Sequence, residues 1–202
     1  MIVAALVLAA GRSTRMGEAN KLLLPVHDRP LVVRVVEAVL ASRAAPVVVV
    51  TGYQGEAVEE ALAGFPVRFA RNPGEGEGLS SSLRRGLAVL PEEVDGALVC
   101  LGDMPGVSAV HLDALIAEFA PASGHDVCAP VHGGRRGNPV LWGRRHFPAL
   151  RALTGDAGGR ELLERETVHP VQVADDGVLR DIDDPRAYAE WVKAFPEPER
   201  AW

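Results

Sequence analysis

Cysteine, long hydrophobic runs and excess positive charge are all scarce in this sequence. Its only two cysteines, Cys100 and Cys128, lie in apolar stretches, which predicts two core residues in a reducing cytoplasm and excludes a disulfide framework or a cysteine-based zinc site. No apolar stretch approaches the roughly 20 residues that a membrane helix needs. The net charge of −6 gives no general attraction to nucleic acid or anionic lipid. We therefore expect a cytoplasmic protein with neither nucleic acid nor membrane as a partner.

Apolar residues, by contrast, are plentiful. They make up 48% of the 202 residues, enough for one domain with a substantial core. Apolar runs at 2–8, 46–52 and 97–102 are typical of buried strands. Helix-spaced segments at 31–41 and 54–63 follow the first and the second of these runs. This alternation predicts right-handed βαβ units and a mainly parallel sheet.

The loop from Gly11 to Lys21 is the most informative stretch of the chain. It reads Gly-Arg-Ser-Thr-Arg-Met-Gly-Glu-Ala-Asn-Lys and follows the first buried strand. Glycines let backbone N–H groups approach a polyphosphate, and the cations neutralise its charge. The spacing fits neither a Walker A loop nor the Gly-x-Gly-x-x-Gly of dinucleotide-binding folds. The loop is therefore either a phosphate cradle of another kind or a flexible basic turn.

Residues 8–17, followed by Asn-Lys-Leu-Leu at 20–23, resemble the signature of nucleotidyltransferases related to the molybdenum-cofactor guanylyl- and cytidylyltransferases, the MobA/MocA-like family. The resemblance implies an α/β fold of the Rossmann-like three-layer α/β/α type, with a mostly parallel mixed sheet, over residues 1–195, followed by a tail at 196–202. It also implies that the loop wraps an NTP triphosphate, clamped by Arg12 and Lys21. The nucleotide contacts it assigns in this region are Leu8, Ala9, Ala10, Gly11, Arg12, Ser13 and Lys21. In the family, Leu-Ala-Ala-Gly at 8–11 accompanies cytidine use, which favours CTP over GTP.

A second glycine-rich segment, residues 72–83, enters a helix at three successive serines. From the residues alone it is a flexible linker or the start of a helix capped by Ser80 or Ser81. Its resemblance to the family's Asn-Pro…Gly-(Met/Leu)-x-x-Ser-Leu segment implies instead that Gly78 or Ser82 contacts the base.

Two aspartates complete the predicted nucleotide site. Asp103 follows the buried strand 97–102, at the carboxyl end where open α/β sheets bind ligands. An aspartate here could instead cap the next helix, but Ser108 is better placed to do so. The resemblance makes Asp103 a metal ligand and nucleotide contact, with Asp183 as the second metal ligand for Mg²⁺ or Mn²⁺. Cap and turn chemistry before Pro185 is the alternative for Asp183.

The acceptor side is predicted to lie in the second half of the chain. A hairpin-like pair flanks the basic, glycine-rich turn 132–138, and Gly-Asp-Ala-Gly-Gly-Arg at 155–160 opens a helix. The resemblance places acceptor contacts at Asn138, Asp156 and Arg160. A helix N-terminus beside Arg160 is a plausible phosphate seat, although a capped helix with an exposed arginine fits the residues equally well.

The function implied is a nucleotidyltransferase that moves a nucleoside monophosphate, CMP from CTP, to a phosphate monoester of the molybdopterin type and releases pyrophosphate. A molybdoenzyme or its chaperone is the implied protein partner. The alternatives are a related transferase with a sugar-phosphate or other acceptor, a MobA-like protein named as an NAD(P)-dependent oxidoreductase, and a non-catalytic insertion factor. The six histidines form no ligand-spaced set, so we expect them to be surface or core residues.

Overall fold

The computed structural model describes residues 1–12, 20–74, 78–155 and 159–194. The strands are β1 (Val3–Ala9), β2 (Pro25–Val26), β3 (Arg29–Pro30), β4 (Val47–Thr51), β5 (Arg68–Arg71), β6 (Gly96–Leu101), β7 (Val127–His132), β8 (Arg135–Arg136), β9 (Val140–Gly143) and β10 (His169–Gln172). The helices are α1 (Leu31–Leu40), α2 (Gly55–Ala61), α3 (Leu79–Ala88), α4 (Ala109–Glu118), α5 (Phe147–Ala152), α6 (Arg160–Leu163) and α7 (Pro185–Ala194). Short 3₁₀ turns lie at Lys21–Leu23, Pro121–Ser123, Arg144–His146 and Asp176–Leu179.

The main sheet has the strand order β10-β7-β9-β6-β1-β4-β5, with β8 paired to β7. Strand β1 runs parallel to both β4 and β6, and β4 runs parallel to β5. The antiparallel strand β9 joins this parallel half to β7, which pairs in parallel with the edge strand β10. Strands β2 and β3 form a separate small hairpin. The predicted mostly parallel, mixed sheet is confirmed.

Strand β1 shows why helices cover both faces of this sheet. All its residues are buried, and successive side chains of a strand point to opposite faces. Val3, Ala5 and Val7 join one core with residues of α1 and α4. The intervening Ala4, Leu6 and Leu8 join a second core with residues of α3 and α5. A strand buried on both faces needs apolar residues at every position, and this is why the sequence reads as one continuous run.

Several elements differ from what the sequence predicts. Helix α5, in a segment with weak apolar periodicity, was not predicted. The helix predicted to open at 155–160 is only a single turn, α6 (Arg160–Leu163). Both cysteines are buried, as predicted. Within the described ranges, no helix has both the length and the apolar character needed to cross a membrane. The predicted tail, 196–202, lies outside the described residues.

Candidate active site

Asp103 is aimed at the loop after β1 by the pairing of β6 with β1. The two strands run side by side as far as Leu8 and Leu101. The pairing continues one residue further, because the Gly102 amide donates to the Leu8 carbonyl at 3.0 Å. A Cβ at position 102 would lie 2.9 Å from that carbonyl oxygen, so only glycine allows this close approach. Asp103 is therefore the first side chain beyond the sheet on this strand.

Asp183 reaches the same place from the far end of the chain. The amide of the buried Ile182 donates to the Asp103 carbonyl at 2.9 Å, which ties the two aspartate segments together. Just before this point the chain crosses the Asp103 loop at two glycines. A Cβ on Gly177 would lie 2.2 Å from the Gly106 carbonyl oxygen, so the crossing is possible only because Gly177 has no side chain.

The ammonium group of Lys21 joins the two carboxylates. Its Nζ lies 2.7 Å from Oδ2 of Asp103 and 2.7 Å from Oδ1 of Asp183. The side chains are 12% exposed for Lys21, 18% for Asp103 and 41% for Asp183. Burial by itself lowers the pKa of Lys21, but the two aspartates outweigh it and the pKa is raised. The lysine therefore remains a cation between two carboxylates.

One carboxylate oxygen of Asp103 is not used by the contact with Lys21. Oδ1 of Asp103 is buried and has no hydrogen-bond partner among the described residues. Desolvation, together with the carboxylates of Asp183 and Asp103, raises the pKa of Asp181. A buried carboxylate oxygen without a partner is costly and calls for a cation or donor from a ligand. The arrangement can therefore accept a further cation with hard oxygen ligands.

Lys21 is positioned by Asn20, whose role the sequence analysis did not recognise. The Asn20 side chain accepts from the Leu22 amide at 3.1 Å, starting the 3₁₀ turn, and donates to the Tyr53 carbonyl at 3.2 Å. Asn20 is only 4% exposed. An asparagine directly before the predicted phosphate lysine was the available signal, since such residues favour turns and caps.

The described part of the phosphate loop leaves its strand at the same edge. Leu8, Ala9 and Ala10 are buried, and Gly11 and Arg12 are exposed. The Tyr53 amide donates to the Ala10 carbonyl at 3.3 Å. The predicted contact Ser13 lies outside the described residues.

The segment before α3 corrects the capping hypothesis for Ser80 and Ser81. The N-cap is Gly78, whose φ of +90° suits glycine, and both serines lie inside the first turn. Asn72, buried after β5, donates to Oγ of Ser81 at 2.8 Å and of Ser82 at 3.1 Å. Ser82 is thus held in place by Asn72, a residue that the sequence analysis did not single out.

The two caps considered for the aspartates belong to other residues. Ser108 is the N-cap of α4, and its amide donates to Nδ1 of His111 at 3.2 Å. At α7 the Ala187 amide donates to Asp184 at 2.8 Å, while Asp183 contacts Lys21. Neither Asp103 nor Asp183 acts as a helix cap.

Two of the three predicted acceptor residues share one cleft. Asn138 and Arg160 line a cleft of about 520 Å³, together with Arg136, Trp142, Leu79 and Leu101. Leu101 is the last residue of β6, so the cleft lies at the same edge of the sheet as Asp103. The single turn of α6 is too short for a strong helix dipole, which removes that argument for a phosphate seat. Asp156, the third predicted residue, lies outside the described residues.

Comparisons with known proteins cover almost the whole chain. A sequence model of the MobA-like NTP transferase domain matches residues 5–171. The purine catabolism protein PucB of Bacillus subtilis is 31% identical over 90% of this chain and 91% of its own length. Nicotine blue oxidoreductase of Paenarthrobacter nicotinovorans is 29% identical over 90% of this chain and 92% of its own. The Rv0371c protein of Mycobacterium tuberculosis, solved as a complex with manganese, has a TM-score of 0.82 at 25% identity and covers 96% of this chain and 100% of its own.

Proposed function

The chain belongs to the MobA-like NTP transferase family, and we propose that it transfers CMP from CTP to a phosphate monoester of the molybdopterin type. The observation that carries this proposal is the meeting of Lys21, Asp103 and Asp183 at the edge where the phosphate loop begins. A cation between two carboxylates beside a phosphate loop suits a site that binds a metal–triphosphate complex.

In the proposed reaction, an oxygen of the acceptor phosphate attacks the α-phosphorus of CTP. The bond from the α-phosphorus to the α,β-bridging oxygen breaks, and pyrophosphate leaves with that electron pair. The attacking oxygen is already ionised at neutral pH, so no strong base is required. The protein supplies positioning and charge stabilisation, with Arg12 and Lys21 neutralising the phosphates.

Mg²⁺ is the proposed metal, with Mn²⁺ as a substitute, and Asp103 and Asp183 would hold it. The fit rests on the chemistry of the donors, which are carboxylate oxygens, and on the buried Oδ1 of Asp103 that lacks a partner among the described residues. When bound, the metal neutralises charge that develops at the α-phosphate. The manganese complex of the related Rv0371c protein supports a divalent cation in this family.

Lys21 has two proposed partners in succession. Without nucleotide it bridges Asp103 and Asp183 at 2.7 Å each. With a nucleotide bound, Asp103 and Asp183 would hold the metal and the Lys21 ammonium would neutralise the phosphates. The lysine thus keeps the carboxylates together before the substrate binds.

The cleft beside Asp103 is the proposed acceptor site. Arg136, Arg160 and Asn138 can bind an anionic group, and the more exposed Leu79 and Leu101 offer an apolar wall for a flat heterocycle. That combination suits a pterin carrying a phosphate better than a sugar phosphate. A molybdoenzyme or its chaperone would then receive the product.

A related transferase with a sugar-phosphate acceptor is the alternative within the family, and the oxidoreductase named among the relatives is the alternative outside it. A pyrophosphate-release assay with each of four NTPs, and with molybdopterin or one of a set of sugar phosphates as the acceptor, distinguishes a molybdopterin transferase from a sugar-phosphate transferase. We expect pyrophosphate from CTP with molybdopterin and Mg²⁺. Release only with a sugar phosphate, or NAD(P)H oxidation without pyrophosphate, would contradict the proposal.

A further inference from the structure

A second group of metal-ligating side chains lies at the opposite edge of the sheet from Asp103. Glu118 is the last residue of α4, His125 comes shortly before β7, and His169 begins β10. One ligand atom of each lies within 4.8 Å of the other two. Oε2 of Glu118 is 3.2 Å from Nε2 of His169, and the two imidazole rings stack with centroids 3.6 Å apart. We call these three residues the amino-edge cluster.

Backbone hydrogen bonds set the positions of these residues. Ala120 and His125 exchange two hydrogen bonds, at 2.9 and 3.1 Å, and close the segment between α4 and β7. The parallel pairing of β10 with β7 places His169 opposite Cys128. The three side chains are therefore brought together by the fold, although the two histidines lie 44 positions apart in the sequence.

We infer that the amino-edge cluster binds a borderline divalent transition metal such as Zn²⁺. Two imidazole nitrogens and a carboxylate oxygen are a ligand set that zinc accepts in protein sites and that Mg²⁺ does not favour. A tetrahedral zinc with bonds of about 2.1 Å holds its ligand atoms about 3.4 Å apart. The Glu118–His169 pair is already this close. The remaining contraction requires only side-chain rotation, which the exposed Glu118 and the partly exposed histidines allow.

The thiol of Cys128 is not part of this ligand set. It is fully buried opposite His169, and desolvation, with Glu118 and Asp126 adding to it, raises its pKa to about 12. Its Sγ contacts the His125 carbonyl oxygen at 3.6 Å and does not belong to the group of ligand atoms that lie within 4.8 Å of one another. The site therefore offers three protein ligands and leaves the fourth position to water.

A metal bound to the amino-edge cluster would stabilise β10, the strand at one end of the main sheet. Strand β10 pairs only with β7 among the described strands. The ion would join its first residue to the end of α4 and to the start of β7. Because the chain runs from β10 to Gly177 and then to Asp183, the metal would also support the segment that carries the second active-site aspartate.

The test is a calorimetric titration of the tag-free protein with Zn²⁺ in saturating Mg²⁺, which keeps a hard cation at Asp103 and Asp183. We expect one Zn²⁺ per chain. His125→Ala and His169→Ala should each weaken zinc binding by more than about 10-fold, because losing even a group that supports a ligand costs about that much. Glu118→Gln, at an exposed position, should also weaken it. His132→Ala, at the other end of β7, is the matched control and should leave zinc affinity unchanged.

Thermal unfolding gives a second measurement. Zinc should raise the unfolding temperature of the wild type, because it binds the folded state, and should not raise that of the His125→Ala/His169→Ala double variant. Each variant is first compared with wild type in a chelator, and Glu118→Gln decides the matter if a histidine variant fails to fold. A wild type that binds no zinc, or equal zinc affinity in wild type and the cluster variants, would overturn the inference.

Discussion

The main sheet carries two groups of potential metal ligands, one at the carboxyl end of β6 (the carboxyl edge) and one at the amino end of β7 (the amino edge), and the two groups differ in their ligand atoms. At the carboxyl edge, Asp103 and Asp183 present carboxylate oxygens to the ammonium of Lys21. At the amino edge, His125 and His169 present imidazole nitrogens beside Glu118. Oxygen ligands suit Mg²⁺ or Mn²⁺, and the mixed nitrogen and oxygen set suits zinc.

The ligand side chains at the two edges also differ in burial, and we therefore expect substitutions at the two edges to have different effects. The carboxyl edge holds a buried carboxylate oxygen without a hydrogen-bond partner among the described residues, a costly arrangement typical of a ligand site. At the amino edge the side chains are exposed or partly exposed, so they cost little without a metal. Substitutions at the carboxyl edge should therefore affect turnover, whereas those at the amino edge should affect only zinc binding and the stability that zinc adds.

Asp103→Asn should show the largest difference between the edges, because it should abolish most of the turnover and leave zinc binding unchanged. Nucleotide transfer should fall by about 10³-fold, the upper end for removing one preorganised charge-stabilising group. Zinc affinity at the amino edge should be unchanged. Asp113→Asn on α4 removes the same charge without touching the carboxyl-edge site and is the control. Turnover equal to that of the wild type for Asp103→Asn, measured by pyrophosphate release, would contradict the catalytic role of the carboxyl edge.

Variants of Lys21 and Arg12 should distinguish two roles at the carboxyl edge: neutralising the phosphates and holding the two aspartates together. Lys21→Met and Arg12→Ala should each lower turnover by about 10²- to 10³-fold. Lys21→Met should also lower the free energy of unfolding by about 1–3 kcal/mol, because it leaves the partly buried Asp103 without the ammonium of Lys21. The exposed Arg12 should have no comparable effect on unfolding. Equal unfolding free energies for the two variants, by urea titration, would contradict the bridging role of Lys21.

Gly177→Ala tests the link between the edges. A Cβ there meets the Gly106 carbonyl at 2.2 Å, so the segment leading from β10 to Asp183 must move. We expect a loss of about 1–3 kcal/mol in unfolding free energy, as for other overpacked sites. Weaker Mg²⁺ binding should accompany it, while zinc binding stays intact. Unchanged Mg²⁺ affinity would show that the glycine crossing does not position Asp183.

The smallest expected effect concerns the donor base. CTP with Mg²⁺ should raise the unfolding temperature more than GTP does, and Ala10→Gly should narrow that gap by relaxing the loop wall. Zinc binding should not respond. Equal shifts for CTP and GTP in the wild type, measured by differential scanning fluorimetry, would overturn the preference for CTP.

Local patterns predicted much of the carboxyl edge. Buried strands read as continuous apolar runs, and the carboxyl end of a parallel strand is where ligands bind, so Asp103 could be placed from the sequence. The pairing of Asp103 with Asp183 came from a family resemblance, because no local rule connects residues that far apart. The glycine contact between Gly106 and Gly177 depends on how two segments cross, which no periodicity records.

The amino edge could not be predicted in this way. His125 and His169 have no ligand spacing in the sequence, and only the pairing of β10 with β7 brings them together. Ser80 and Ser81 looked like caps, but the helix begins before both of them, at Leu79, with Gly78 as its N-cap. In each case a tertiary contact decided the outcome over a local preference.

The central claim is that Asp103 and Asp183 hold one divalent cation with the nucleotide. The most direct measurement is the affinity for CTP, with and without Mg²⁺, of wild type, Asp103→Asn and Asp183→Asn. In the wild type, Mg²⁺ should strengthen CTP binding by at least about 10-fold, or about 1.4 kcal/mol. The gain should shrink in Asp183→Asn, whose amide oxygen can still bind a metal, and vanish in Asp103→Asn. If Mg²⁺ strengthens CTP binding equally in all three proteins, neither aspartate is a ligand and the claim is wrong.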